Sequence, residues 1–404
     1  RFEEYERLGT PLQLNGAICL KELTDRQIQS YLASANQPAL WNAIAEDEAL
    51  LELVRPPLLL SMTVLAYQGG AGLEWQGLKS SEARLEHLLD AYIRRMLEQS
   101  AASQTFKNQQ QKSYSLRQTR LWLTWLAQQM ERESQTEFLI ERMQPSWLPT
   151  QAFQISYEHI VKLISGLIFW LIGGLIVGLT VGLIGGLTVG LIGGLIGRLI
   201  TSRKSISISE SLKWSRKEAK KGLTVGLIGG LTVGLTGGLT GGLIGGLTGG
   251  LIGGLTVGLI GGLTGGLTGS EIEQKAFPNQ GVWKTLQTGL VQMVIFWLIY
   301  GLIYGLIGGL IGGLSVGLSV GLIYGLIFGL IVGLVFGLSR GLGECIKHLS
   351  LRTVLYRHGY IPWNYACFLN YSTDRLLLQR VGGRYRFMHK LLQEHFAAMP
   401  FEKP

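Results

Sequence analysis

The spacing of apolar residues changes twice along the 404-residue chain. Over residues 23–67 apolar positions recur at helical spacing. Thr24-Asp25-Arg26-Gln27 places a hydroxyl three residues before a glutamine, ahead of Ile28, Tyr31 and Leu32, which is the pattern of a capping box opening an amphipathic helix. Leu50, Leu51, Leu53 and Val54 run to Arg55-Pro56-Pro57. An apolar helix then restarts at Leu58, with proline at its opening, where a missing N–H costs nothing. Two more amphipathic helices are predicted over 84–98 and 116–132. From residue 163 the rule changes. Three blocks, 163–197, 222–269 and 286–338, carry almost no charge and are written in a Gly-Leu-x-x repeat. Beyond residue 343 charged residues return.

A helix that crosses a bilayer needs about 20 apolar residues at 1.5 Å each, so every block is long enough for about two passes. Three helical hairpins, about six crossings, keep both polar connectors and both flanks on one side of a membrane; the first block is tight and borrows 157–162. The repeat also sets the packing. Glycines at four-residue steps, as in Gly182-Leu183-Ile184-Gly185-Gly186-Leu187, let two backbones approach and gain dispersion contacts where lipid gives no hydrophobic drive between helices. In water each glycine would oppose a helix by about 0.8–1.0 kcal/mol relative to alanine. In hydrocarbon an unsatisfied backbone costs more, and the helix is retained. A flexible linker would pair glycine with serine, not with Leu, Ile and Val. The period-two alternation of a β-barrel is absent.

The blocks differ in what lies between the glycines. The central one carries Thr224, Thr232, Thr236, Thr240, Thr248, Thr256, Thr264 and Thr268. Such hydroxyls either line a wet path or bond their own helix carbonyls and pack as small residues, and the second is the commoner arrangement. The third block carries Phe296, Trp297, Tyr300, Tyr304, Tyr324, Phe328 and Phe336, which fit anchors at headgroup depth. The net charge of +9 owes much to Arg198, Arg203, Lys204, Lys213, Arg216, Lys217, Lys220 and Lys221, which lie between apolar blocks and meet only Glu210 and Glu218. Basic connectors of this kind mark the cytoplasmic side of a membrane, so the charge reads as topology and gives no case for nucleic acid. Cys19, Cys345 and Cys367 have neither metal spacing nor the even count of a disulfide framework, which fits soluble parts in a reducing compartment. The chain opens on Arg1-Phe2-Glu3 without an initiator Met and reads as part of something longer.

The flanks resemble a known family. Arg1-Phe-Glu-Glu-Tyr, Leu23-Thr24 with Ile28 and Tyr31-Leu32, Leu40-Trp41, and Pro57-Leu-Leu-Leu resemble the stretch that follows the Walker motifs in the NACHT family of signalling NTPases, especially large bacterial members. The tail, Leu376-Leu-Leu-Gln-Arg-Val-Gly-Gly-Arg-Tyr-Arg-Phe-Met-His-Lys-Leu-Leu-Gln-Glu-His-Phe-Ala-Ala, resembles the end of that family's winged-helix region, with its aromatic-x-His and Gln-Glu-x-Phe-Ala pattern. The resemblance covers roughly 1–148 and 351–399. It implies an NTPase of the STAND type, held inactive with ADP, opening with ATP and assembling as a homo-oligomer, in which the repeat block is an inserted output module. With the repeat block read as above, the expected fold is all-α and multi-pass: Gly-zipper transmembrane hairpins inserted in the helical and winged-helix soluble module that the resemblance implies. Its divisions are 1–79, the end of the nucleotide-binding domain and the helical domain; 80–155, the first part of the winged-helix region; 156–343, the transmembrane block; and 344–404, the last part of the winged-helix region.

By the same resemblance three residues touch nucleotide. Arg1 matches a sensor arginine whose guanidinium reads a γ-phosphate, Pro57 matches the proline that packs on adenine, and His389 matches the histidine that closes on the β-phosphate of ADP. Each has a plainer reading, as a surface arginine, a helix-starting proline and a capping histidine. His395 and Glu394 have no such role; Glu394 reads as a solvated helix residue. No G-x-x-x-x-G-K-[ST] occurs: Gly281-Val-Trp-Lys-Thr lacks the glycine before the lysine. A Walker-B strand with paired acids is missing too, so the chain alone is not expected to hydrolyse ATP, and its remaining ATP/ADP contacts lie outside it. No catalytic residue or metal site is predicted. The expected location is the cell membrane, with both soluble ends cytoplasmic. Functionally, the resemblance implies a signalling or antiviral defence NTPase whose membrane output permeabilises the bilayer. The alternatives are a channel or transporter gated by its soluble ends, disfavoured by the lack of ionisable residues in the blocks, or a membrane scaffold with no nucleotide role.

Overall fold

In a computed structural model the described residues are 21–67, 80–103, 114–178, 206, 211–241, 267–270, 277–312 and 318–401. The chain divides into two compact units, one formed by Arg1–Gln128, Tyr371–Leu378 and Phe387–Phe401, the other by Gln129–Asn370, Gln379–Arg386 and Glu402–Pro404.

The first unit is built on helices α1 (Asp25–Ser34), α2 (Pro38–Ala45), α3 (Glu48–Val54), α4 (Pro57–Ala66), α5 (Ser81–Ser103) and most of α6 (Leu116–Arg132). The capping box forms as its residues suggest: the Thr24 N–H donates to Gln27 Oε1 at 2.9 Å. Ile28, Leu32, Leu40, Ile44, Leu50 and Leu60 fill the interior. Asp47 caps α3 by accepting the Ala49 and Leu50 N–H groups, and it also takes an ion pair from Arg84 of α5. That guanidinium hydrogen bond is the main reason the Asp47 carboxyl lies below its usual range. The Arg55-Pro56-Pro57 junction is tied back to the start of α1, because Leu23 N–H donates to Arg55 O at 3.0 Å and Arg55 Nη1 donates to Leu23 O at 3.2 Å.

The second unit contains α7 (Gln151–Gly178), strand β1 (Ser211–Trp214), α8 (Arg216–Gly241), strand β2 (Leu267–Ser270), α9 (Gln280–Gly312), α10 (Leu318–Gly337) and α11 (Gly343–Arg357), with α12 (Tyr365–Asp374) beginning in it. β1 and β2 pair antiparallel with Ser211 opposite Ser270 and Trp214 opposite Leu267. A hairpin, β3 (Leu378–Val381) with β4 (Arg384–Phe387), precedes α13 (Lys390–Ala398). Phe138 adds a third edge: its N–H donates to Tyr385 O at 2.7 Å and its carbonyl accepts the Tyr385 N–H at 2.9 Å. The same Phe138 packs on Trp147 and edge-on to Tyr365, starting an aromatic core that Phe368 continues.

Helices α9 and α10 form an antiparallel-sequence hairpin stitched by glycine. A methyl group on Gly329 would lie 2.5 Å from the Trp297 carbonyl oxygen, and one on Gly333 would lie 2.5 Å from that of Met293. On Gly325 it would overlap the Gly301 carbonyl oxygen. Alanine does not fit such contacts without moving backbone. The series ends at a π-helical turn, Leu338–Leu342, where Gly341 meets Gly289; such turns admit an extra residue without breaking the helix, and the chain continues straight into α11.

Two expectations are corrected here. The multi-pass fold is not what the structure has: among the described residues one helix, Gln280–Ile299 at the start of α9, is long and apolar enough to cross a membrane, against about six expected. The physical reason is that low charge is not the same as high apolarity. Glycine adds almost no hydrophobic surface, and α8 opens on Arg216, Lys217, Glu218, Lys220 and Lys221 and then carries glycine or threonine at most positions. Much of the first and central blocks, including Thr248, Thr256 and Thr264, lies outside the described residues. Secondly, the fold is not all-α, since two two-stranded antiparallel sheets are present among the described residues. Trp297 Nε1–H donates to Leu326 O at 2.9 Å across the α9–α10 hairpin, and Phe296 is buried.

Candidate functional site

His389 stands as the N-cap of α13, with an extended backbone that brings the chain out of β4 and into the helix. Its side chain is half-buried and makes no hydrogen bond among the described residues. Burial alone holds the imidazole below its ordinary pKa. The ring is therefore neutral near pH 7, beside backbone N–H groups that a helix leaves unsatisfied at its start.

The rest of α13 is fixed firmly. Leu392 and Phe396 are buried, and Phe396 packs against Phe387 at 5.7 Å between ring centroids. His395 Nε2 lies 3.3 Å from Asp90 Oδ1 on α5, and Arg120 on α6 pairs with the same oxygen. The His395 hydrogen bond, with Arg120 nearby, holds the Asp90 carboxyl below the usual range. Arg120 Nε also donates to Met399 Sδ, and Gln128 Nε2 donates to the carbonyls of Ala397 and Met399. His395, given no role from sequence, thus holds the helix that carries His389. Glu394 is solvent-facing and paired with Lys390.

Pro57 occupies the first position of α4, is exposed, and is preceded by the tied junction described above. The helices bearing Pro57 and His389 both pack on α5. Arg1 lies outside the described residues.

A second group of polar side chains was not legible in the sequence. Glu141, Glu344, Lys347 and His348 are all buried in the second unit. Glu141 Oε2 accepts the Gly281 N–H at 2.6 Å, fixing the start of α9, while Lys347 Nζ lies 3.2 Å from Glu344 Oε1 one turn below the π-helical segment. His348 Nε2 lies 2.9 Å from Ile140 O. Burial is the main cause that pushes its pKa down to about 4, so the ring is neutral and donates to that carbonyl. The partners are some 140 and 208 residues apart in sequence, so no local pattern announces them.

Among the described residues no group of three His, Cys, Asp or Glu side chains is placed to hold a metal ion. Cys345 and Cys367 are free thiols. Thr224 and Thr232, both exposed, each donate to the carbonyl four residues back, Lys220 O and Ile228 O. No family model, curated protein or solved structure matches the chain.

Proposed function

We propose that this chain is the C-terminal portion of a NACHT-type, nucleotide-switched signalling protein that is tied to a membrane by the first part of α9. The observation that carries the nucleotide half is His389: an unpartnered, half-buried imidazole at the start of a well-anchored helix. A helix N-terminus favours an anion, and an imidazole there can donate to a phosphate oxygen. Pro57 is exposed at the opening of α4 and free to pack on a base. The helix, three-edged hairpin and short helix at the tail support the winged-helix reading. ADP holds the resting state and ATP the active one, with hydrolysis and the remaining phosphate contacts supplied outside this chain. Homo-oligomerisation on activation and a role in antiviral defence rest on the family resemblance alone.

The membrane half rests on α9. Leu290, Val291, Val294 and Leu298 face outward over the one stretch among the described residues that is apolar enough to span. Each is about half exposed, so leaving it in water forgoes about 1 kcal/mol relative to full burial, a bias toward hydrocarbon that adds up around that face. α7 exposes a matching stripe of Leu163, Leu167, Trp170 and Leu171. α10 returns the chain beside α9, so the membrane part acts as an anchor or lever with both soluble ends on one side, the cytoplasm in this reading. That same observation favours, as the competing reading, a membrane scaffold without nucleotide control.

The two readings separate in a titration of the chain, labelled with ¹³C-histidine, by ADP. The nucleotide reading expects one ring resonance, absent in His389→Ala, to shift with ADP and to move toward the protonated form. If ADP and ATP leave that resonance unmoved at millimolar concentration, the scaffold reading stands.

A further inference from the structure

We infer that the start of α9 and the first turns of α8 form one docking surface for anionic phospholipid headgroups; the inference rests on the membrane reading above and adds the side on which the span enters and the lipid it selects. Three links bring the two segments together. Glu141 holds the first turn of α9 through Gly281. Three residues on, Gln144 clamps Ile206 from both sides, accepting its N–H at 2.9 Å and donating to its carbonyl at 3.2 Å. β1 begins five residues after Ile206 and packs against α9. β2, its partner, ends ten residues before α9 at Ser270, opposite Ser211. The Ser211 end of the ribbon is thus leashed to the foot of α9 along both strands. α8 leaves from the other end, about 10 Å away at about 3.3 Å per strand residue.

The first turns of α8 carry Arg216, Lys217, Lys220 and Lys221, all exposed, against a single acid, Glu218. At the foot of α9, Phe277 and Trp283 are about two-thirds exposed, at 67% and 66%. An apolar span that begins with an exposed tryptophan beside a cluster of cations has the composition of a membrane interface: the ring sits at headgroup depth and the cations meet phosphates. A soluble protein partner would leave the outward Leu290, Val291, Val294 and Leu298 just above this belt unexplained, whereas a bilayer covers both. The charge selects anionic over zwitterionic lipid. Each basic residue that reaches the surface strengthens association about fivefold.

The test is cell-free synthesis of the full chain with vesicles of phosphatidylcholine alone or with 30 parts in 100 of phosphatidylglycerol, followed by flotation. The expected result is recovery with both, at least tenfold higher with the anionic vesicles in 0.1 M salt, and a difference that shrinks in 0.5 M salt as charge is screened. Replacing Arg216, Lys217, Lys220 and Lys221 by glutamine should abolish the difference while leaving recovery on phosphatidylcholine unchanged. The salt series on the unaltered chain gives the same answer without any variant. Equal recovery on both vesicles overturns the lipid selectivity and leaves the span standing. Recovery on neither overturns the membrane reading and this inference together.

Discussion

Helix α8 and the α9–α10 hairpin are written in the same Gly-Leu repeat, yet they use their glycines in opposite ways. A methyl group on Gly229 in α8 meets nothing within 4 Å, whereas on Gly329 in α10 it strikes the α9 backbone at 2.5 Å. The repeat confers the capacity for close approach; it does not say whether a partner comes. What singles out the hairpin lies outside the repeat, at its foot: the Glu141 bond to Gly281, the buried Lys347–Glu344 pair and the neutral His348. α8 begins instead with exposed cations.

The comparison can be broken most forcefully at that foot. Lys347→Ala leaves the Glu344 carboxylate buried without its ammonium partner, and loss of one member of such a pair costs about 3–5 kcal/mol. The unfolding free energy from denaturant titration in mild detergent should drop by that amount, whereas Lys220→Ala on α8 should change it by no more than about 0.5 kcal/mol.

Acid should act next. His348 titrates at about 4 in the fold, against about 6.5 when unfolded. Between these values the unfolded chain binds the extra proton, so stability is full above pH 6.5 and falls as pH drops toward 4, by about 3 kcal/mol in total. Unfolding curves at pH 7.5 and 4.5 measure this, and His348→Gln should flatten this part of the dependence.

Within the repeat itself, Gly329→Ala should destabilise by about 1–3 kcal/mol, the usual cost of overpacking, because the atoms it meets are backbone. Gly229→Ala should have the smallest effect and the opposite sign, a gain approaching 0.8–1.0 kcal/mol from helix propensity in open space. Equal effects at the two glycines would erase the distinction drawn between the helices.

Features encoded by near neighbours were readable from sequence. The Thr24–Gln27 capping box, the proline opening α4 and the 116–132 helix depend on residues within a turn or two of each other. The close glycine approach was foreseeable in kind but not in place, since a four-residue repeat looks the same in α8 and α10. The number of crossings was misjudged because absence of charge was weighed as apolarity. The anchoring of α13 was not legible at all: Asp90 and His395 are 305 residues apart, and neither sits in a pattern that names the other. The same holds for Glu141 and Gly281. His389 was singled out by family resemblance, and its unpartnered side chain adds a physical reason to look there.

Alkaline carbonate extraction of membranes from cells expressing the chain tests the account most directly. An apolar α9 face that lies in hydrocarbon predicts that the chain stays in the pellet, and that Val294→Lys with Leu298→Lys, two cations placed on that face, releases it to the supernatant. Release of the unaltered chain would contradict the account, and the outward apolar residues of α9 would then belong to a protein contact.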